Sequence, residues 1–317
     1  GKNQMKKTVG KGPAVDGFNV FKLLKSIRIT GVAATSAKDP IYRYLWVKEN
    51  EPEIFEKASK WLDVKEYIIA RSTGNMVMTE DSAFATLLMD IRKNKRIFSP
   101  AVCSIYGVDI NHLPDIIKST DTAGYVTAQA AAETGLAEGT PVFGGGGDAS
   151  LLGVGAGAVN VGDTHIYMGT SGWVSTIVDK PKLDLIHKIG SIVGADDVTF
   201  NYFAELETAG KCIEWVKDHL SYEETIDYLN SSEELEYEEI TMDLYEYMMD
   251  SISEVPPGSN GVMFTPWLHG SRCPFEDSHA RGMFFNSGLE TGKRELIHAV
   301  LEGVCYHLRW QLESSST

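Results

Sequence analysis

Gly144-Gly145-Gly146-Gly147-Asp148 follows a short apolar run, Pro141-Val142-Phe143, near the middle of the chain, and Gly169-Thr170-Ser171-Gly172 comes a little later. Residues without side chains let a bulky ligand approach the backbone closely. The proton acceptor of the first stretch is the Asp148 carboxylate. The second turn offers amides and two hydroxyls, a donor set that suits phosphate. A carboxylate and a phosphate cradle at neighbouring strand ends are the minimum parts for phosphoryl transfer. Asp148 alone would serve equally as a helix cap, but a cap does not require four glycines before it.

The flanking segments predict where these turns sit. Pro141 to Phe143 reads as a strand, and Ala149 to Ala156 as a small-residue helix. His165 to Met168, the Gly-Thr-Ser-Gly turn and Trp173 to Val178 form a hairpin pattern. Upstream, Tyr42 to Leu62 reads as helix, broken or restarted at Pro52, with Tyr42, Leu45, Trp46, Phe55 and Trp61 on one face. Asp81 to Arg92 has the three- and four-residue apolar recurrence of a helix (Phe84, Leu87, Leu88, Ile91), capped by Asp81 or Ser82. Tyr125 to Thr134 is alanine-rich and helical, with Gly135 at its C-terminal cap. Downstream come a strand at Asn201 to Leu206 and helices at Ala209 to His219 and Arg294 to Leu312, the last with Val300, Leu301, Val304 and Leu308 as its apolar face.

The 317 residues suffice for two cores, and 43% hydrophobic with 23% charged residues is ordinary for a globular protein. The net charge of −15 disfavours nucleic acid and anionic lipid as partners. Much of the excess lies between Tyr222 and Glu254, where Met242, Tyr245, Met249 and Ile252 recur at helical spacing; this reads as a solvated helix face rather than a docking surface. Asn230 heads an Asn-x-Ser match that reads as a polar loop. No run approaches the length of a membrane helix, and Gly1 to Lys7 lacks a signal peptide's apolar core. Cys103, Cys212, Cys273 and Cys305 are dispersed without a CxxC pair, which suits reduced thiols in the cytoplasm. The eight histidines lack metal-ligand spacing, so no metal site is expected from them. Gly153-x-Gly155-x-Gly157 lies in a helix and reads as close helix packing rather than a dinucleotide loop, and Thr291-Gly292-Lys293 as a turn.

Taken together these segments resemble the FGGY carbohydrate kinase family, and within it the xylulokinase-like branch, from about Thr30 to Gln311. Asp148 falls on the aspartate of the family's Gly-Gly-Gly-Asp motif, and Gly169 to Gly172 on its Gly-Thr-Ser-Gly hairpin. Ala209-Gly210 with Trp215 matches an Ala-Gly pair opening a helix; the position four after that glycine is Glu214, often an amide in relatives. Pro40, Arg43, Tyr44 and Trp46 resemble a first signature, with Arg for the usual Lys. Pro266 to Pro274, with Ser271 for the usual Glu, then Arg281-Gly282, Asn286 for a glycine, and Glu295 to Val304 resemble a second.

The resemblance implies an α/β, actin-like ATPase (ribonuclease H-like) two-domain fold with a central cleft. Residues 1–158 would be part of the N-terminal, sugar-binding domain and 159–317 part of the C-terminal, nucleotide-binding domain. The family's Asp-x-Gly-Thr turn, Gln-x-His-Gly segment and C-terminal adenosine site find no match, so the chain reads as the middle of a family member missing both ends. The implied activity is ATP- and Mg2+-dependent phosphorylation of a sugar hydroxyl, a pentulose such as xylulose first. Alternatives are another substrate (ribulose, gluconate, a signalling sugar, glycerol) or a non-catalytic sugar-binding or regulatory protein. By the resemblance, Asp148 is the general base and, with Gly147, meets the sugar; Gly169, Thr170, Ser171, Gly210 and Glu214 lie by the nucleotide phosphates. Dimers are common in the family, which allows a homodimer.

Overall fold

The computed structural model describes residues 4, 13–15, 18–32, 34, 39–92, 95–196, 198–221 and 237–315, excluding the side chains at 14, 15, 18 and 237–244. Asn230 and the side chain of Met242 lie outside the described residues. The residues group into two compact units. One comprises Gly1–Asp163, Ile177–Leu183 and Gly190–Tyr202; the other comprises Thr164–Thr176, Asp184–Ile189 and Phe203–Thr317. A five-stranded sheet has the order Leu183–Asp184, Ile189–Val193, Phe200–Leu206, Gly172–Val178, Thr164–Met168.

In the first unit, Pro40–Asn50 and Pro52–Lys57 are separate helices, each opened by its proline. The expected continuation to Leu62 stops at Lys57, because Ala58 turns extended (φ −72°, ψ 123°). Tyr42 is buried, as expected, and so is Tyr44, which meets Phe55 and Trp61 edge to face, whereas Trp46 is exposed. The helix Ala128–Thr134 is capped by the Thr127 side chain at one end and by left-handed Gly135 at the other. Tyr125 instead ends a strand, Thr122–Tyr125, antiparallel to Pro141–Phe143.

The expected helix over Asp81 to Arg92 is overturned in its second half. The helix Glu80–Ala85 ends where the Thr86 hydroxyl donates to the Ala83 carbonyl at 2.6 Å and Leu87 takes φ 64°. Met89–Asp90 then pairs antiparallel with Ile97–Phe98. Of the recurring positions, Phe84 and Leu88 are buried and Leu87 and Ile91 half-buried although the helix ends at Ala85, so their recurrence marked burial rather than helical period.

Beside this corner, Val77–Thr79 pairs in parallel with Asp115–Ile117. The helix Asp148–Gly155 follows the glycine run, with Gly147 in the N-cap position. Added Cβ atoms on Gly155 or Gly157 would meet nothing within 4 Å, which removes the packing explanation for those two glycines.

The second unit is built on the hairpin of Thr164–Met168 and Gly172–Val178, in register from Gly172 opposite Met168 to Thr176 opposite Thr164. Its core gathers Val174 and Leu206 from strands, Cys212 and Val216 from Gly210–His219, Met248 and Ile252 from Tyr237–Ile252, and Val300, Val304 and Leu308 from Lys293–Ser315. Each such buried aliphatic contributes roughly 1.5–3 kcal/mol. In the acidic helix Ile252 is buried and Tyr245 packs against this core, as the spacing predicts, whereas Met248 takes the inward place expected of Met249, which faces solvent.

Burial also sets a pH dependence here. His307 is 3% exposed; its Nε2 donates to the Cys273 carbonyl at 2.6 Å, and its Nδ1 accepts from Trp267 Nε1 at 3.2 Å. This is the neutral tautomer, and burial holds the ring below the usual imidazole range against the raising influence of that carbonyl. Burial likewise lowers His165, whose Nε2 accepts from Trp173. The unfolded chain takes up these protons near pH 6.5 and the folded unit only at lower pH, so the stabilisation is full above about 6.5 and is lost as pH falls. Urea denaturation at pH 7.5 and 5.5 is expected to show a lower midpoint at 5.5, with about 1.4 kcal/mol lost per imidazole for each pH unit between its unfolded and folded values. An unchanged midpoint would contradict neutral burial.

Candidate functional site

The glycine run passes over the end of the parallel strand pair. Gly144 N–H donates to the Asp121 carbonyl at 3.0 Å and Gly145 N–H to that of Ser119 at 2.9 Å. A Cβ on Gly144 would lie 2.7 Å from Thr79 Cγ2, Gly145 has φ 65°, and a Cβ on Gly146 would lie 2.9 Å from Asp81 Oδ2. Two of the four glycines are therefore required by the protein's own packing and a third, Gly145, by its left-handed backbone. Gly147 is different: its Cβ would sit at an ordinary 3.6 Å from Asp81, and beyond it Asp148 is exposed. The carboxylate of Asp148 accepts from the Ala149 N–H at 2.8 Å, a single local bond.

A polar network clamps both ends of this run. Asp81, 7% exposed, accepts the Gly147 N–H on Oδ2 at 2.6 Å, and on Oδ1 the Thr79 hydroxyl at 2.6 Å and the Ser82 N–H at 2.9 Å. Lys65 Nζ donates to Thr79 Oγ1 at 2.7 Å and to the Gly144 carbonyl at 3.1 Å, and pairs with fully buried Glu66 at 2.8 Å. Charge-assisted bonds of this kind are shorter and about twice as strong as neutral ones. Asp81, expected to cap a helix, instead holds the backbone one residue before Asp148. The depression beside them, about 610 Å3, is lined by Asp63 to Glu66, Ile68, Ile69, Ser82, Phe143 to Asp148 and Leu151. Sequence reasoning missed Lys65, Glu66 and Thr79 altogether, since nothing local ties them to a loop more than sixty residues on.

In the second unit the Gly169 to Gly172 turn closes over the stacked rings of Tyr167 and Trp173, whose centroids are 3.9 Å apart. Gly169 N–H donates to the Ser171 carbonyl at 2.8 Å, and the exposed Thr170 brings its hydroxyl to the surface. The helix Gly210–His219 docks end-on against this turn. Gly210 N–H donates to the Gly169 carbonyl at 2.7 Å, Lys211 N–H to that of Thr170 at 3.3 Å, and a Cβ on Gly210 would lie 2.6 Å from the Gly169 oxygen. The first amides of the helix are thus engaged by the turn, and Gly210 is small because the turn's backbone occupies the space beside it. Glu214 pairs with Lys211, which neutralises it and raises the Lys211 ammonium above its usual range.

Behind the same helix end, Arg272 bridges Glu205 (2.7 Å) and Glu207 at the close of the strand Phe200–Leu206. The neighbouring carboxylates raise the guanidinium's pKa against the opposing effect of burial. The sequence-derived site residues therefore fall into two groups: Gly147 and Asp148 in one unit, and Gly169, Thr170, Ser171, Gly210 and Glu214 in the other.

Cys103, Cys212 and Cys273 are buried and free, and desolvation pushes their thiols up to about 11, 11 and 12; Cys305 is exposed. Among the described residues no group of three or more His, Cys, Asp or Glu is placed to hold a metal, and no helix is long and apolar enough to cross a membrane.

Residues 22–155 match the model of the FGGY family of carbohydrate kinases, N-terminal domain, and residues 165–316 that of its C-terminal domain. A xylulose kinase of Lactococcus lactis is 31% identical over 299 residues, covering 92% of this chain and 53% of the relative. A gluconokinase of Bacillus subtilis is 28% identical, covering 85% and 50%. Among solved structures, ligand-bound xylulose kinase from Lactobacillus acidophilus superposes with a TM-score of 0.75 at 26% identity, over 92% of this chain and 55% of that one. The chain spans about half the length of the curated relatives it matches. Two family models in tandem over most of the sequence, with the actin-like ATPase fold of the sugar kinases beneath them, have one reading: the chain belongs to the FGGY family of carbohydrate kinases.

Proposed function

We propose that the complete protein transfers a phosphoryl group from ATP to a hydroxyl of a small sugar, a pentulose such as xylulose first. The observation that carries this is an exposed Asp148 at the end of a glycine run anchored by Asp81. Asp148 accepts the proton of the attacking hydroxyl, and Gly147 leaves the approach to it open. The carboxylate's value is largely positional, since phosphoryl transfer needs little covalent help from the protein. Thr170 and the Gly169 to Ser171 turn meet the nucleotide phosphates, stabilising charge on the transferred group. Gly210 acts by letting the helix hold that turn, and the Lys211 pair makes Glu214 compatible with a nearby anion.

ATP, the family's donor, supplies the phosphoryl group. Mg2+ typically binds phosphate oxygens with one or two carboxylates and retained waters, and would accompany the ATP phosphates; no described residue is assigned to it. Residues 1–158 and 159–317 are read as parts of the sugar- and nucleotide-binding domains, supported by the spans of the two family models. The protein is placed in the cytoplasm, and a homodimer is allowed.

Gluconate is the second reading, favoured by gluconokinase relatives as similar as the xylulose kinases. The test is ATP turnover by the intact gene product with xylulose, ribulose, gluconate and glycerol. Xylulose is expected to give the highest kcat/KM; a maximum with gluconate selects the second reading. No stimulation by any of them, together with no heat of ATP–magnesium binding in titration calorimetry, would replace the kinase with a non-catalytic relative.

A further inference from the structure

The first unit contains a second recess, about 890 Å3, that shares no lining residue with the Asp148 depression. The chain as a whole carries 29 Lys and Arg against 44 Asp and Glu. Around this recess the balance is reversed: Arg28, Arg92, Arg96, Lys180 and Lys182 line it with a single carboxylate, Asp179. Arg92 is already neutralised, its guanidinium donating to both oxygens of Asp90 at 2.9 and 2.7 Å. Arg28, Lys180 and Lys182 have no ion-pair partner among the described residues. Arg96 lies under the wall. Its guanidinium carbon is 5.0 Å from the Phe200 ring centroid, Nε is 3.6 Å from Glu80, and Nη1 is buried without a hydrogen-bond partner among the described residues.

Like charges gathered in one concavity repel, and a buried guanidinium nitrogen left unpaired costs the desolvation of that group. The repulsion is relieved by an anion with several acceptor oxygens. The rest of the wall is apolar, with Phe200 buried and Leu183 and Val198 exposed, so an organic body is accommodated beside the anionic head. The volume falls within the range of small-molecule sites. Solvated surface lysines alone would leave the apolar wall unexplained.

We propose that this recess binds a soluble organic phosphate, with Arg28, Lys180 and Lys182 on the phosphate, Arg96 beneath it, and Leu183 and Val198 against the carbon skeleton. The inference does not depend on the sugar-kinase reading, because the recess excludes Asp148 and every residue assigned to that reaction. Titration calorimetry of the intact gene product with ribose 5-phosphate, at fixed ionic strength in KCl, tests it on three proteins: wild type, Arg28→Ala/Lys182→Ala, and Asp148→Asn.

Saturable binding is expected in wild type and Asp148→Asn and at least ~10-fold weaker in the double variant, from loss of two charge-assisted contacts. The double variant removes two exposed side chains, and an unchanged thermal midpoint without ligand establishes that it folds. Equal affinity in the double variant and wild type overturns the assignment, as does binding lost only in Asp148→Asn, or no saturable heat in wild type.

Discussion

Asp148→Asn in the intact protein is expected to reduce sugar phosphorylation at least ~100-fold while ATP binding stays nearly unchanged. The amide is almost isosteric with the carboxylate, and its oxygen can still accept the Ala149 N–H, the one side-chain bond Asp148 makes among the described residues. The fold around it should therefore be undisturbed, and the loss should fall on kcat. Steady-state turnover with xylulose, paired with calorimetric titration of ATP–magnesium, measures both quantities. Turnover within a fewfold of wild type would remove Asp148 from the role of base. Loss of ATP binding in parallel would point instead to a structural or electrostatic role for the carboxylate.

Asp81→Asn is expected to lower kcat by about 10- to 100-fold without touching the reacting groups, because displacements of about 1 Å carry penalties of that order. Asp81 satisfies three donors with two oxygens: Gly147 N–H, Thr79 Oγ–H and Ser82 N–H. An asparagine has one oxygen, so either the Gly147 amide or the Thr79–Ser82 side faces an NH2 group and must move. The Gly147 bond is one residue from the base and has the least alternative, since Gly147 has no side chain to hold the loop by other means. A KM for ATP near the wild-type value, with kcat reduced and circular dichroism unchanged, is the pattern expected of a positioning residue. An unchanged kcat would show that Lys65 on the Gly144 carbonyl suffices to hold the run.

Local elements were legible wherever local chemistry decided them. Pro141–Phe143, the hairpin around Gly169 to Gly172, the Gly135 cap and the restart at Pro52 all came from turn residues, periodicity or proline geometry acting within a few residues. Asp81 to Arg92 misled for the opposite reason. Phe84 and Leu88 are buried and Leu87 and Ile91 half-buried by the surrounding unit, which produces an apolar recurrence that outruns the helix Glu80–Ala85. Trp46 and Met249 failed similarly: both are large and apolar, and both ended on the solvent side.

The glycine run shows the same division inside the candidate site. Its composition announced a place where backbone and carboxylate act together, and the family resemblance named the aspartate. The packing reading differs in detail: Gly144 and Gly146 are kept from carrying side chains by Thr79 and Asp81, Gly145 is held by its positive φ, and Gly147 has room beside it and an ordinary φ. Gly210 likewise is small because the Gly169 carbonyl rests against it.

By itself, then, the sequence determined the family, the order of most elements, the candidate base at Asp148 and the position of the hydroxyl-bearing turn, because each is written in contiguous residues. Only the tertiary structure decided what holds them. Asp81 reaching Gly147, Lys65 bridging Thr79 to Gly144, Arg272 joining Glu205 and Glu207, and the cationic recess around Arg96 are pairings between residues distant in the chain. A hydrogen bond or ion pair depends on a few tenths of an ångström between two groups, and that distance is set by the packing of everything between them rather than by either residue's neighbours in sequence.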